Sequence, residues 1–287
     1  EAARANLAAI LQGAKDKGLP VLLVGMQAPG NYGADYKTAF DAIYPDLAAE
    51  YGAMLYPFFF DGLTEDTADM TMALILSVPR RLAEGEKLVR SGQWHGWSPS
   101  GMLGHRIGGK KLGIIGMGRI GGAVARRAKA FGLSIAYHNR HRLPFEVEQE
   151  LEASWHDDLD ALLRECDIVS IHCPLNADSR GLIDARRIGL MRPDAYLINT
   201  SRAEITDEPA LIAALAEARI AGAGLDVYTH EPAVDPRLLA LANVTLLPHV
   251  GSATFEGRDA TGARVIANIR TWADGHRPPN QVLEGWV

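Results

Sequence analysis

Three short stretches carry residue types able to do chemistry: "YLINTSR", "AGAGLDVYTHEP" and "LLPHVGSAT". Each opens as an apolar strand and closes on polar groups: Arg202 after the first, Asp226 and then Glu231 after the second, His249 after the third. A guanidinium offers a rigid fork of donors that grips a carboxylate with two parallel hydrogen bonds, or polarises a carbonyl beside one. An imidazole next to a carboxylate favours its protonated form and can give that proton to a developing alkoxide. Arg202, Glu231 and His249 together therefore suit reduction of a carbonyl that neighbours a carboxylate, with Arg202 and His249 on the substrate and Glu231 behind the imidazole. Taken singly, His249 also reads as a hydrogen-bonded structural histidine and Glu231 as a turn or cap residue; their succession at strand ends is what points to a site.

Carbonyl reduction needs a hydride donor, and "LGIIGMGRIGG" supplies a cradle for one. Gly116, Gly118 and Gly121 form G-x-G-x-x-G directly after a strand and directly before a helix. The spacing gives a tight turn, a backbone that a pyrophosphate can approach, and close packing of helix on strand, with the free N–H groups of the helix start facing the phosphates. In a site selective for NAD, a carboxylate ends the second strand about 20 residues further on and accepts from the ribose 2′-hydroxyl. Here that strand, "LSIAYH", runs into Asn139, Arg140, His141 and Arg142, with no acid. An uncharged residue followed by arginines suits a 2′-phosphate, so NADP(H) is the expected cofactor with NAD(H) as second choice; the plain alternative is a solvated basic turn.

The elements that must position these groups alternate regularly from about residue 110. Strand-like runs stand at 111–116, 133–138, 167–173, 195–200, 223–228 and 244–249, with helical stretches such as "RIGGAVARRAKAF", "LDALLREC" and "DEPALIAALAEARI" between them. Strands this apolar, separated by helices, predict an α/β fold with a doubly wound (Rossmann) parallel sheet covered on both faces, whose ligand crevice lies at the carboxyl ends of the strands. Residues 65–90 read as one long helix, kinked or interrupted at Pro79. "SGQWHGWSPSGMLGHRIGG" reads as an ordered loop, and residues 253–274 as a last helix followed by a tail.

Residues 63–287 resemble the D-isomer-specific 2-hydroxyacid dehydrogenases, most closely their glyoxylate/hydroxypyruvate reductase-like members. The resemblance rests on "LTEDTADMTMALIL", "LGIIGMGRIGGAVARRAKAFG" and "IHCPLNADSRGLI" together with the three stretches above. It implies Arg202 as substrate clamp, Glu231 as partner of the acid and His249 as proton donor. It also implies cofactor contacts from Arg119, Ile120, Cys173, Pro174, Thr200, Ser201, Asp226 and Gly251, beside the glycines, Asn139 and Arg140. Trp97, in "QWHGWSP", is the residue expected to reach the substrate pocket of a neighbouring subunit, so a homodimer is implied. Ala203 and Glu204 stand where the family usually has glycine after the arginine.

Residues 1–62 read differently: helix (2–17), strand ("LPVLLVGM"), loop, helix (35–51) and strand ("AMLYPFFF"), a smaller and atypical α/β segment without serine, histidine or cysteine. This segment resembles the last part of a GDSL/SGNH-type esterase, but it lacks the nucleophile and base that hydrolysis needs, which makes esterase activity a poor reading. The expected organisation is thus 1–62 in place of a substrate domain, 63–252 as dinucleotide-binding domain, and 253–287 returning to the first. A nucleotide-binding module without turnover is the alternative to a reductase. A net charge of −6 offers no general attraction to nucleic acid or anionic membranes, and there is no apolar run of membrane-spanning length. Cys166 and Cys173 have neither disulfide-framework nor zinc-ligand spacing, so no metal is expected and a reducing cytoplasm fits. The chain opens on Glu1 rather than methionine, which leaves a preceding segment an open question.

Overall fold

Helix α1 (Ala2–Asp16) places Leu7, Ala8 and Leu11 one turn apart, and this apolar stripe packs on α2 (Ile43–Tyr51) through Ile43, Tyr44, Leu47 and Ala48. Arg4 on the outer side of α1 pairs with Asp46 and Glu50 of α2. Beneath them β1 (Leu22–Val24) and β2 (Met54–Tyr56) run parallel, with Leu22 opposite Met54. The structure, a computed structural model, describes residues 2–19, 21–24, 39–40, 42–56, 61–274 and 276. Parts of the expected strands 19–26 and 53–60, the first turns of the expected helix 35–51 and the tail after 276 lie outside the described residues. Two compact units result: residues 1–63 with 252–287, including helix α9 (Phe255–Ala273), and residues 64–251.

The larger unit begins in helix α3 (Asp61–Ser77), which stops where Pro79 removes a backbone donor; Arg81 takes a left-handed conformation (φ 55°) before helix α4 (Leu82–Arg90). The stretch read as a long helix kinked or interrupted at Pro79 is interrupted there, and forms two helices. Arg81 fixes the break by a fork to Glu84 and a bond to the Leu103 carbonyl at 3.2 Å, and the His105 N–H donates to Pro79 O at 2.8 Å.

Seven parallel strands follow: β3 (Lys111–Ile115), β4 (Ser134–His138), β5 (Ala153–Trp155), β6 (Ile168–Ile171), β7 (Tyr196–Asn199), β8 (Gly222–Leu225) and β9 (Val244–Leu246), in spatial order β5-β4-β3-β6-β7-β8-β9. The period of two sends neighbouring residues to opposite faces. Ile114, Ile168 and Ile198 enter a core with Met72 and Ile75 of α3, with Val78 just past its end, and with Val124 and Ala128 of helix α5 (Arg119–Ala130). Ile115, Val169 and Leu197 enter the other, with Leu162 and Leu163 of helix α7 (Leu159–Glu165) and Leu211 and Leu215 of helix α8 (Glu208–Ala216). This is the Rossmann-type architecture expected. The strand order reverses between β3 and β6, so the ligand crevice is expected over their carboxyl ends. The sequence reading lacks strand β5 and helix α6 (Phe145–Leu151): three residues are too short to display a period, and α6 buries Glu148 while Phe145 is exposed, so its apolar residues do not mark its buried face.

Helix α6 has a consequence for the basic turn after β4. Its buried Glu148 accepts a 2.5 Å bond from the Tyr137 hydroxyl and a two-pronged grip from Arg142, while Leu143 N donates to the Tyr137 oxygen. The Arg142 bond, working against burial and helped by Tyr137, holds the Glu148 carboxyl below its ordinary range. Because the folded value is lowered, this contribution is complete at neutral pH and is lost as the pH falls through it. Tyr137→Phe should cost about 1–3 kcal/mol, seen as a lower Tm at pH 7, and the deficit should shrink on acidification below pH ~4. A Tm equal to that of the parent protein at pH 7 would refute the network's role.

Candidate active site

The glycine loop is built as its spacing requires. Gly116 sits at φ 96°, and a Cβ there would lie 2.4 Å from the Cys173 backbone nitrogen, so only glycine lets the β3 loop pass the β6 loop at the switch point. A Cβ on Gly121 would meet Gly116 O at 2.5 Å, which sets the close approach of α5 to β3. At Gly118 a Cβ would meet nothing within 4 Å: this position faces open space at the start of α5, where no side chain caps the helix. A tight first glycine, an open second and a packed third fit a pyrophosphate over the helix N-terminus. Of the two residues that follow, Arg119 is exposed, whereas the Ile120 side chain packs on the core.

A cavity of about 380 Å³ lies beside this loop, lined by Gly116, Gly118, His138–His141, His172–Pro174 and Asp178 among others. Asn139 turns its amide onto the loop: Oδ1 accepts from Met117 N at 2.7 Å and Nδ2 faces Met117 O at 3.4 Å. Arg140 lines the cavity and is exposed, whereas Arg142 is spent on Glu148. The two arginines of the sequence reading are thus not equivalent. His172 forms the opposite wall with its Nε2 2.8 Å from Ser170 Oγ, and burial pushes its imidazole down to about 4, which leaves it neutral near pH 7.

The three strand-end groups stand on the same edge. His249 Nδ1 lies 2.7 Å from Glu231 Oε2, and Glu231 Oε1 accepts from Tyr228 N at 2.9 Å. Burial alone would raise the Glu231 carboxyl; the bonds from His249 and Tyr228 and the charges of His249 and Arg202 outweigh it and hold the group below the usual range. The charge of Arg202 thus acts on the carboxylate that His249 touches. Arg202 itself is exposed, in extended backbone (φ −140°, ψ 136°), with Nη1 on the Ser201 carbonyl at 2.7 Å. The Ala203 and Glu204 that replace the usual glycine form a short 3₁₀ turn, with Ala203 buried.

The other expected contacts divide. Ser201 Oγ donates to Cys173 O at 2.7 Å, which ties the β7 loop to the β6 loop, and Thr200 shares a 2.9 Å hydroxyl contact with Thr71 of α3. Asp226 is 1% exposed, and both its oxygens are taken by backbone donors, Val250 N at 2.8 Å and Gly251 N at 2.7 Å. It therefore anchors the segment that carries His249 at φ 55°. Trp97 is 83% exposed on the loop after α4.

Asn199 was not singled out, although it is 2% exposed at the end of β7 and clamps the Arg202 loop: its Oδ1 accepts from Ser201 N and its Nδ2 donates to Arg202 O, both at 3.0 Å. Glu208 is similar, accepting from Thr229 N at 3.0 Å and so steadying the turn that leads to Glu231. A buried amide at a strand end was the available signal for the first; nothing local marks the second. Asn199→Ala should raise KM for the substrate and lower kcat, together by about tenfold, through a slack Arg202 loop. Nucleotide affinity should stay within about twofold. Unchanged steady-state constants would show that the loop holds itself.

Comparison with known proteins follows the same lines. The family model described as D-isomer specific 2-hydroxyacid dehydrogenase, NAD binding domain, matches residues 72–251. A glyoxylate reductase from Thermococcus litoralis is 45% identical over 254 residues, 87% of this chain and 76% of the relative. Among solved structures, a glyoxylate reductase from Paecilomyes thermophila has a TM-score of 0.72 at 38% identity, covering 85% of this chain and 73% of that one. An NADPH-dependent glyoxylate/hydroxypyruvate reductase from Sinorhizobium meliloti, in complex with NADP and malonate, has a TM-score of 0.72 at 34% identity, with 92% and 78% covered. These comparisons give the esterase resemblance of residues 1–62 no support. Among the described residues no helix is long and apolar enough to cross a membrane, and no group of three or more His, Cys, Asp or Glu is placed to hold a metal ion.

Proposed function

Because the chain belongs to the D-isomer specific 2-hydroxyacid dehydrogenase family, we propose that it reduces a small 2-keto acid of the glyoxylate or hydroxypyruvate type, with NADPH as the preferred and NADH as the second donor. The observation that carries this reading is the His249 Nδ1 to Glu231 Oε2 contact at 2.7 Å with the Arg202 charge on the same carboxylate. When bound, the reduced nicotinamide supplies a hydride. Arg202 holds the substrate carboxylate with its guanidinium fork and so presents the adjacent carbonyl. Glu231, kept ionised, holds Nδ1 of His249 and leaves Nε2 to face the carbonyl oxygen. As the carbon gains the hydride, the carbonyl π pair moves to oxygen and Nε2 gives that oxygen its proton; the neutral ring then recovers a proton from solvent.

Gly116, Gly118 and Gly121 would hold the pyrophosphate, with Arg119 and Ile120 contributing backbone at the helix start, and Thr200, Ser201, Cys173 and Pro174 flanking the path toward the nicotinamide. Asn139 acts on the cofactor through the loop it braces, and Arg140 is the residue placed for a 2′-phosphate. The exposed Trp97 fits the reading of a homodimer in which it reaches the partner's substrate pocket. Cys166 and Cys173 are both free, which suits a reducing compartment.

The test is an assay of the purified chain with glyoxylate and with hydroxypyruvate, NADPH against NADH, followed at the nicotinamide absorbance band. Oxidation of NADPH faster than NADH at equal subsaturating concentration is expected. Folded protein that binds nucleotide but turns over neither acid would overturn the reductase reading in favour of a nucleotide-binding module.

A further inference from the structure

We infer that Asp178 sets how sharply the nucleotide groove distinguishes a ribose 2′-phosphate from a free 2′-hydroxyl, by competing for Arg140. The inference rests on the dinucleotide reading above and deepens it.

The turn after β4 offers fewer groups to a ligand than its sequence suggests. Asn139 is committed to the Met117 backbone and Arg142 to Glu148, while His138 Nδ1 lies against His156 O at 2.9 Å. The cation left at the cavity wall is Arg140, and its Nη1 lies 3.5 Å from Asp178 Oδ2. Asp178 comes from the other side of the switch point, in the loop after β6, and is the only acid among the described residues that line this cavity. Its backbone is fixed: the N–H groups of Asp178 and Ser179 both donate to Asn176 Oδ1, at 2.9 and 3.0 Å, and Ser179 Oγ donates to Pro174 O at 2.6 Å. The carboxylate therefore starts from a rigid base beside Arg140.

The pair is easily exchanged. The two side chains are 74% and 77% exposed, and ion pairs in that setting contribute little to stability. A 2′-phosphate would take the Arg140 fork with two charge-assisted bonds and would meet the Asp178 charge as a repulsion at close range. A 2′-hydroxyl would leave the pair in place and could donate to Asp178, which then does from the β6 loop what a carboxylate at the end of the second strand does in NAD-selective sites. One residue thus weakens binding of the phosphorylated nucleotide and supports the other. Neutral His172 on the same wall adds no charge to offset either effect.

Dissociation constants for NADPH and NADH, measured by calorimetry on the full chain and on Asp178→Asn and Arg140→Ala, test this. Asp178→Asn should raise the ratio Kd(NADH)/Kd(NADPH) about fivefold to tenfold at low salt, with the gain shrinking toward about twofold near 0.5 M salt as the charges are screened. Arg140→Ala should lower the same ratio about tenfold. If the unaltered chain binds neither nucleotide, the dinucleotide reading fails and takes the inference with it. If it binds both but Asp178→Asn leaves the ratio within twofold of its starting value, or lowers it, the inference alone is overturned. Because Asp178 is exposed and its side chain supports no buried group, the variant is expected to fold as the unaltered chain does.

Discussion

His249→Gln is expected to lower kcat for keto-acid reduction by about 10²–10⁴-fold while leaving NADPH affinity within about threefold, since the groove lined by Gly116, Asn139 and Arg140 does not include His249. Glutamine retains size and can still donate to Glu231 from its amide, so the geometry that Glu231 stabilises persists. What it lacks is a proton it can release as charge develops on the substrate oxygen. Hydride transfer would then leave an alkoxide facing an amide, and a donor that cannot transfer its proton recovers only part of the stabilisation. Glu231→Gln should be milder, because the imidazole remains and loses only the carboxylate that holds its Nδ1 at 2.7 Å. Equal losses of kcat for both variants would move the proton donor elsewhere.

How far the sequence discloses this site depends on whether a constraint is local. The glycine loop is legible because each glycine answers to backbone within the same strand-turn-helix segment, and the structure bears out the crowding at Gly116 and Gly121 and the open space at Gly118. The Glu231 and His249 pair is legible for another reason: parallel strands bring their carboxyl ends to one edge, so strand order stands in for distance. Partnership between side chains is a different matter. Nothing local to "HNRHR" says that Arg142 turns back to Glu148 while Arg140 stays at the cavity, because the choice is made by a seven-residue helix whose packing, not its period, defines it. Trp97 is undecided for the converse reason, since its expected partner belongs to a second copy of the chain.

Asp226 marks the same limit most sharply, and replacing it should have the largest structural effect of any single change at the site. The family resemblance implies this strand-end carboxylate as a cofactor contact. In the fold it is buried, and its two oxygens take the Val250 and Gly251 N–H groups, while a Cβ on Gly251 would come within 2.9 Å of Oδ2. Those bonds hold the chain immediately after His249, a non-glycine residue at φ 55° that would relax toward negative φ if released. Asp226→Ala strands two donors in a buried place and frees that strain at once. The cost should be about 3–5 kcal/mol, or a Tm lower by roughly 5–15 °C, with kcat reduced about 10²-fold as Nε2 of His249 drifts by the order of an ångström from the carbonyl. Asp226→Asn keeps one acceptor and should fall between the two in both respects. If Asp226 were instead mainly a cofactor contact, the alanine variant would bind NADPH poorly yet melt with the parent protein, and that combination would remove the brace from the account of how His249 is aimed.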